Sequence, residues 1–478
     1  MMTLKSTRVQ CVVCMLCACL LTDVLPAAEF SGGTGEPNDP YQIATVEQLC
    51  SIGSDPNLLD KHFVLLNDID LDPNLPGGQV FTQAVIAPDM NDLGGFDGAP
   101  FTGSFDGAGH RILNLTIRNG GASYLAMFGY ILKEAVVKDL RIDDACVSGE
   151  AGMSIGALAG RNAGCVLRCY ATAKVRGREW VGTLVGINTG EIIECGGGGQ
   201  VVGAIAAGGL VGTNYNGVIL DCCATSDISA TSGDHLGGLV GWNDCDAVIA
   251  GSYAAGSMSV KAEGTNLGGL VGGMAGACIN DCYASGEVSG GNRSSSLGGL
   301  VGSSSGYISD CYSTGRVSAG EDSVGIGGLV GSSTGGEVTG CFWDVEASGL
   351  FQSAGGAGLT TTQMEEIGNF LLAGWDWAGE RANGTADLWF APEQGGYPML
   401  TVHSDTYRCR ELEGAGTEDD PYRIATAEDL GAVNHHERTA YYTLDADIDL
   451  AGITWRKAPI QYFVGQLDGN GNVLTGLE

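Results

Sequence analysis

Carboxylates, basic side chains and thiols are the residues here whose types and spacing could do chemistry. Asp68, Asp70 and Asp72 alternate with Ile69 and Leu71 in NDIDLD. On a strand, that alternation turns three carboxylates to one face and the apolar residues to the other. Such a face suits a calcium ion, which wants several hard oxygens, or is simply the solvated side of a strand. DADIDL at 445–450 repeats the pattern, and the Asp/Gly spacing of an EF-hand with its closing Glu is missing. No cofactor is expected, with calcium as the alternative.

A polysaccharide lyase would hold acidic sugars through Arg, Lys and calcium, and Arg161, Arg168, Lys174, Arg176 and Arg178 are concentrated in one stretch. A glycoside hydrolase would need two carboxylates flanking one bond. Asp221, Asp281 and Asp310 recur directly before Cys222, Cys282 and Cys311, and an acid repeated in this way reads as a solubilising column. Among six histidines the only cluster is HHER at 435–438, which is not HExxH. No GxSxG, phosphate-loop or dinucleotide fingerprint stands in the required context. Catalytic, cofactor-binding and metal-binding residues are therefore assigned to none, and an enzyme ranks below a scaffold.

Of 17 cysteines, Cys11, Cys14, Cys17 and Cys19 precede residue 29, and the odd number left does not suit a complete disulfide framework. Cys169, Cys195, Cys222, Cys282, Cys311 and Cys341 share one repeat position, with Ser252 in the copy between Cys222 and Cys282. A ladder of small inward-pointing side chains explains them best; disulfides and a zinc column are the alternatives. One residue later come Tyr170, Tyr253, Tyr283, Tyr312 and Phe342. That row is either packing or a platform for stacking sugars.

The elements that must position these groups are repeats. LGGLVG stands at 236–241, 267–272 and 297–302, with close variants ending at Gly160, Gly186, Gly212 and Gly331. Successive final glycines lie 26, 26, 29, 31, 30 and 29 residues apart. CYATAKV, CYASGEV and CYSTGRV follow at 169–175, 282–288 and 311–317. Each segment is too short for a helix and buries almost nothing alone, so copies must stack at about 4.8 Å, Leu over Leu and Cys over Cys. The paired glycines suit corners where a side chain would clash or φ must be positive. Four-stranded propeller blades need about 40–45 residues, more than these units contain. The expected fold is all-β: a right-handed parallel β-helix of repeats about 29 residues long, with short capping helices.

Bulk properties agree. Glycine numbers 79 of 478 residues without a Gly-X-Y period, which excludes collagen. A net charge of −33 disfavours nucleic acid and other polyanions. Residues 1–28 read as an export signal: Lys5 and Arg8, then CVVCMLCACLL, then LPAA, with Cys19 as an alternative lipid-attachment site. No later run is long enough to span a bilayer. A secreted or cell-surface location outside the bacterial cytoplasm follows.

The GGLVG phrase followed by a CYATG-like phrase, over roughly 124–345, resembles the GLUG motif of bacterial secreted and surface proteins. The resemblance implies an adhesin-like extracellular protein. The motif also recurs in non-catalytic parts of immunoglobulin A-specific zinc metallopeptidases, but without HExxH no protease activity carries over.

Flanking modules complete the organisation. GTGEPNDPYQIATVEQL at 33–49 recurs as GTEDDPYRIATAEDL at 416–430. A signal (1–28), a capping module (29–123), the repeat solenoid (124–345), a C-terminal cap and connector (346–412) and a second, incomplete copy of the capping module (413–478) are expected. Thr45 with Gln48, and Thr362 with Glu365, read as capping boxes, the first starting a helix near 46–52 and the second a helical run to about Leu372. The function read from all this is an exported β-solenoid scaffold for adhesion or glycan contact through a repeated surface. The alternative is a carbohydrate-active β-helix enzyme, either a lyase or a hydrolase. Extracellular glycan or a surface protein is the expected partner.

Overall fold

A computed structural model describes residues 29–91, 95–404 and 410–477. The export signal read at 1–28 lies outside these residues.

The chain is a parallel β-solenoid. One coil shows the plan: Val240–Asp244, Val248–Ala250, Tyr253–Ala254, Met258–Val260 and Gly264–Gly268 are short strands joined by sharp corners. Each strand pairs in parallel with its counterpart one coil on, placing Val271 opposite Val240, Ile279 opposite Ile249, Tyr283 opposite Tyr253 and Leu297 opposite Leu267. One row runs unbroken from the first coil to the last: Tyr41, Phe63, Phe105, Val137, Val166, Ile192, Ile219, Ile249, Ile279, Ile308 and Val338. Residues of the N-terminal flank thus supply rungs of the same stack.

The phrase LGGLVG makes one corner of each coil. Leu210, Leu239, Leu270, Leu300 and Leu329 are fully buried and stack; the backbone N–H of each of the first four donates to the next coil's leucine carbonyl at 2.8–2.9 Å, and that of Leu329 donates to Ser353 Oγ at 3.2 Å. Its glycines are required by close approach: a Cβ on Gly238 would lie 1.9 Å from the Gly269 carbonyl oxygen, and one on Gly269 2.0 Å from that of Gly299. Positive φ falls instead on the residue before the phrase. Trp180, Ala206, His235, Asn266 and Ser296 have φ from 45° to 58°. Their left-handed strain, about 1 kcal/mol or more each, is offset by stacking on both sides.

Asn162, Asn188, Asn214 and Asn243 form a buried amide ladder at another corner, each Nδ2 donating to the next Oδ1 at 2.8 Å. The cysteines form the third ladder. All six are buried with free thiols, and each Sγ donates to the carbonyl two residues earlier, as Cys222 does to Leu220 at 3.0 Å. Ser252 makes the same bond to Ala250 at 2.8 Å.

The helix expected near 46–52 spans Val46–Ser54, closed by the Thr45–Gln48 box, and its Leu49 and Ile52 join the core. The second capping box differs from expectation. Thr360 and Gln363 form it, and the helices are Thr361–Met364 and Ile367–Leu372. Three consecutive threonines offer competing caps, and Gln363 selects Thr360 by accepting from its N–H at 3.0 Å. In the second capping-module copy, Tyr422, Tyr442 and Leu467 make a parallel three-strand stack with its own apolar core.

Candidate functional site on the acidic flank

The residue before each cysteine-ladder position turns the corner in the left-handed region. Asp139, Arg168, Glu194, Asp221, Gly251, Asp281, Asp310 and Gly340 have φ between 49° and 60°. Aspartate and glycine are among the residues that tolerate this geometry. Stacking aligns these positions as a mostly acidic column on the solenoid's flank.

The column is not a solvated face. Residues 375–404 and 410–457 lie against it, and Asp281 and Asp310 are only 3% exposed. Lys457 Nζ reaches Asp281 at 2.5 Å and Asp310 at 2.8 Å, Arg456 reaches Asp310 at 3.2 Å, and Arg438 reaches Asp221 at 2.7 Å. Trp389 Nε1 donates to Asp281, Trp375 Nε1 to the Gly340 carbonyl, and His403 Nε2 to the Gly251 carbonyl. Lower down, Arg168 pairs with Asp139 at 2.6 Å. The expected solubilising column is therefore corrected: these acids are pins for the folded-back segment, which brings its own cations. Among the described residues, Glu194 is the one acidic side chain of the column with no hydrogen-bond or ion-pair partner; its backbone N–H donates to the Leu220 carbonyl at 3.0 Å.

The tyrosine row runs alongside. Tyr253, Tyr283 and Tyr312 stack at 4.9 and 5.1 Å with nearly parallel rings. His403 packs edge-on against Tyr253, while Trp389 and Tyr397 pack on Tyr312, whose hydroxyl donates to the Pro398 carbonyl at 2.6 Å. The upper row is thus packing, with no free sugar platform. Tyr170 differs. Gly196 and Cys223 separate it from Tyr253 in register, and its ring remains 42% exposed. It leans over Gly196, where a Cβ would lie 2.6 Å from the ring.

Tyr170 borders a polar cavity of about 290 Å³ lined also by Glu194, Asp221, His403, Asn434 and His435. Burial, and then the neighbouring Asp221, raises the Glu194 carboxyl above its ordinary range. Burial lowers both His403 and His435, holding them neutral near pH 7. Tyr170 is pushed up to about 12, chiefly by burial. A partly buried acid beside an ion-paired carboxylate in a cleft makes this a candidate functional site.

Other sequence candidates do not converge. Arg161 lies over the Tyr130 ring at 4.9 Å, Arg176 faces Glu150 and Arg178 faces Glu179. Asp68 is held by Arg111, Asp70 accepts from Asp72 N and Asn114, and Asp72 accepts from Asn74. Backbone and side-chain bonds from Arg111 lower the Asp68 carboxyl. Among the described residues no group of three or more His, Cys, Asp or Glu side chains is placed to hold a metal ion. Of the HHER pair, His435 lines the cavity, whereas His436 accepts from Leu412 N and packs on Tyr422.

Glu194 and His403 were not singled out from sequence. Glu194 was findable as the residue before Cys195. The asparagine ladder was findable too, because Asn162, Asn188, Asn214 and Asn243 keep the 26-, 26- and 29-residue intervals of the glycines. His403 carried no such signal, being 152 residues from its partner Gly251.

Residues 294–318, which contain one LGGLVG and one CYSTGRV, match the family model of the GLUG motif. This chain carries the GLUG motif. The other copies of the phrase extend GLUG-like repeats along the solenoid. Over 157 residues the chain is 31% identical to "Halomucin" of Haloquadratum walsbyi, covering 31% of this chain and 2% of that protein. Over 142 residues it is 32% identical to a "Putative Gly-rich membrane protein" of Evansella cellulosilytica, covering 29% and 15%. The chain therefore spans a small part of these relatives. Among solved structures, one titled as a "putative immunoglobulin A1 protease" from Bacteroides ovatus aligns over 78% of this chain and 96% of its own, at 19% identity and a TM-score of 0.42. No helix among the described residues is long and apolar enough to cross a membrane.

Proposed function

We propose that this GLUG-repeat solenoid is an extracytoplasmic surface scaffold that contacts glycan at the flank cavity. The observation that carries this reading is the exposed Tyr170 ring at the rim of a polar cavity of about 290 Å³. An aromatic face beside hydrogen-bonding groups suits a sugar ring, with its apolar face and its hydroxyl edge. The export-like N-terminus and a relative named as a membrane protein support the location.

A second reading has its own observation: Glu194 and Asp221 occupy one repeat position on adjacent coils, and about 5 Å is the separation a retaining glycoside hydrolase needs between its carboxyl groups. A glycan screen on the chain that scores binding and product release together tests both. Binding without turnover, weakened roughly three- to tenfold by Tyr170→Ala, is the expected result. Release of sugar products would replace the scaffold with the hydrolase. No binding to any glycan would remove the glycan reading altogether.

A further inference from the structure

The donors and acceptors around the cavity do not balance. Asn434 has spent its amide, donating Nδ2 to the carbonyls of Gly431 and Pro459 and accepting from Gln461 N. His403 and His435 face the backbone carbonyls of Gly251 and Ala386 through Nε2, so a neutral ring spends its one N–H there. Thr401 Oγ1 donates to the Leu388 carbonyl. Nearby cations are already paired, Arg438 with Asp221 and Arg168 with Asp139. Among the described residues the Glu194 carboxylate is left over, an acceptor without a protein donor, and no lysine or arginine lines the cavity. Glu194 is partly exposed toward the cavity, where its carboxylate is a strong acceptor for a charged donor.

We infer that the cavity takes the ammonium group of an amino sugar, bound by the Glu194 carboxylate with the sugar ring against Tyr170. The inference rests on the glycan reading above and narrows it to a chemical class. An ammonium brings three donors and no acceptor, which is the complement of what the lining leaves unsatisfied. It also brings the positive charge that offsets Glu194 beside the neutral Asp221–Arg438 pair. An acidic sugar would set its carboxylate against Glu194, and the net charge of −33 adds to that opposition. The preference is local, because the other column positions from Asp221 to Gly340 are occupied by residues 375–404 and 410–457.

The experiment compares glucosamine tetramer with its fully N-acetylated counterpart by calorimetry at low salt and pH 6, alongside a lysine-bearing peptide of similar length. The two sugars share a backbone and differ in the ammonium group. The expected result is at least tenfold tighter binding of the free amine, with the difference abolished in Glu194→Gln. That variant keeps shape and backbone, and an unchanged Tm confirms its fold. Equal binding of the two tetramers would overturn the inference and leave the glycan reading standing. Binding to neither, while other neutral glycans bind in the screen, would likewise overturn it. A Glu194-dependent gain as large for the peptide would reassign the cavity to basic peptides.

Discussion

At the scale of single residues, the fold uses side chains for hydrogen bonding where their chemistry suggests something else. The six ladder cysteines look reactive by number, yet each is buried and its thiol caps a corner carbonyl. Burial raises the thiols of Cys169, Cys195, Cys311 and Cys341 well above the ordinary range. Ser252 does the same work with an oxygen, so Cys222→Ser is expected to shift stability by no more than about 1 kcal/mol in urea unfolding. Asp376 behaves differently. It accepts from the N–H groups of Ala386 and Asp387, and burial raises it to about 7. An acid raised in the folded state binds protons that the unfolded chain has released, so stability falls as pH rises from about 4 to about 7. Asp376→Asn removes that slope, read from pH-dependent unfolding by tryptophan fluorescence, since Trp375 and Trp377 flank the group.

At the scale of the coil, stability comes from columns that no single repeat contains. Asn188 accepts from Asn162 and donates to Asn214, so removing it leaves the buried Asn214 Oδ1 without its donor, while Asn162 Nδ2 keeps the carbonyls of Gly164 and Glu191. Asn188→Ala is expected to cost about 2–4 kcal/mol, more than its lost volume implies, and Asn188→Asp more still. Equilibrium unfolding of the variants measures this. The intervals between glycines and between cysteines disclosed the coil and its ladders before any coordinates. They left open whether close approach or positive φ requires the glycines of LGGLVG, and did not place the left-handed corner on the residue before it, because both depend on the neighbouring coil's backbone.

At the scale of the molecule, the fold-back of residues 375–404 and 410–457 decides what the flank does. Lys457 inserts between Asp281 and Asp310, and its removal leaves two buried carboxylates with Arg456 as the one remaining cation. Lys457→Met is expected to weaken docking by about 3–5 kcal/mol while the solenoid core holds. Hydrogen exchange would then rise in residues 375–403 and stay low in the leucine rungs. Sequence by itself determined the solenoid, the rung length, the inward ladders and the capping helix at Val46–Ser54, because a repeat encodes its own stacking through local period and small-residue corners. Only tertiary structure decided that the acidic column is pinned, that most of the tyrosine row is covered, and that Glu194 and Tyr170 remain open beside His403 and His435. Those contacts join residues as far as 217 positions apart, and no local pattern of polarity or spacing records which distant segment will supply the opposite charge.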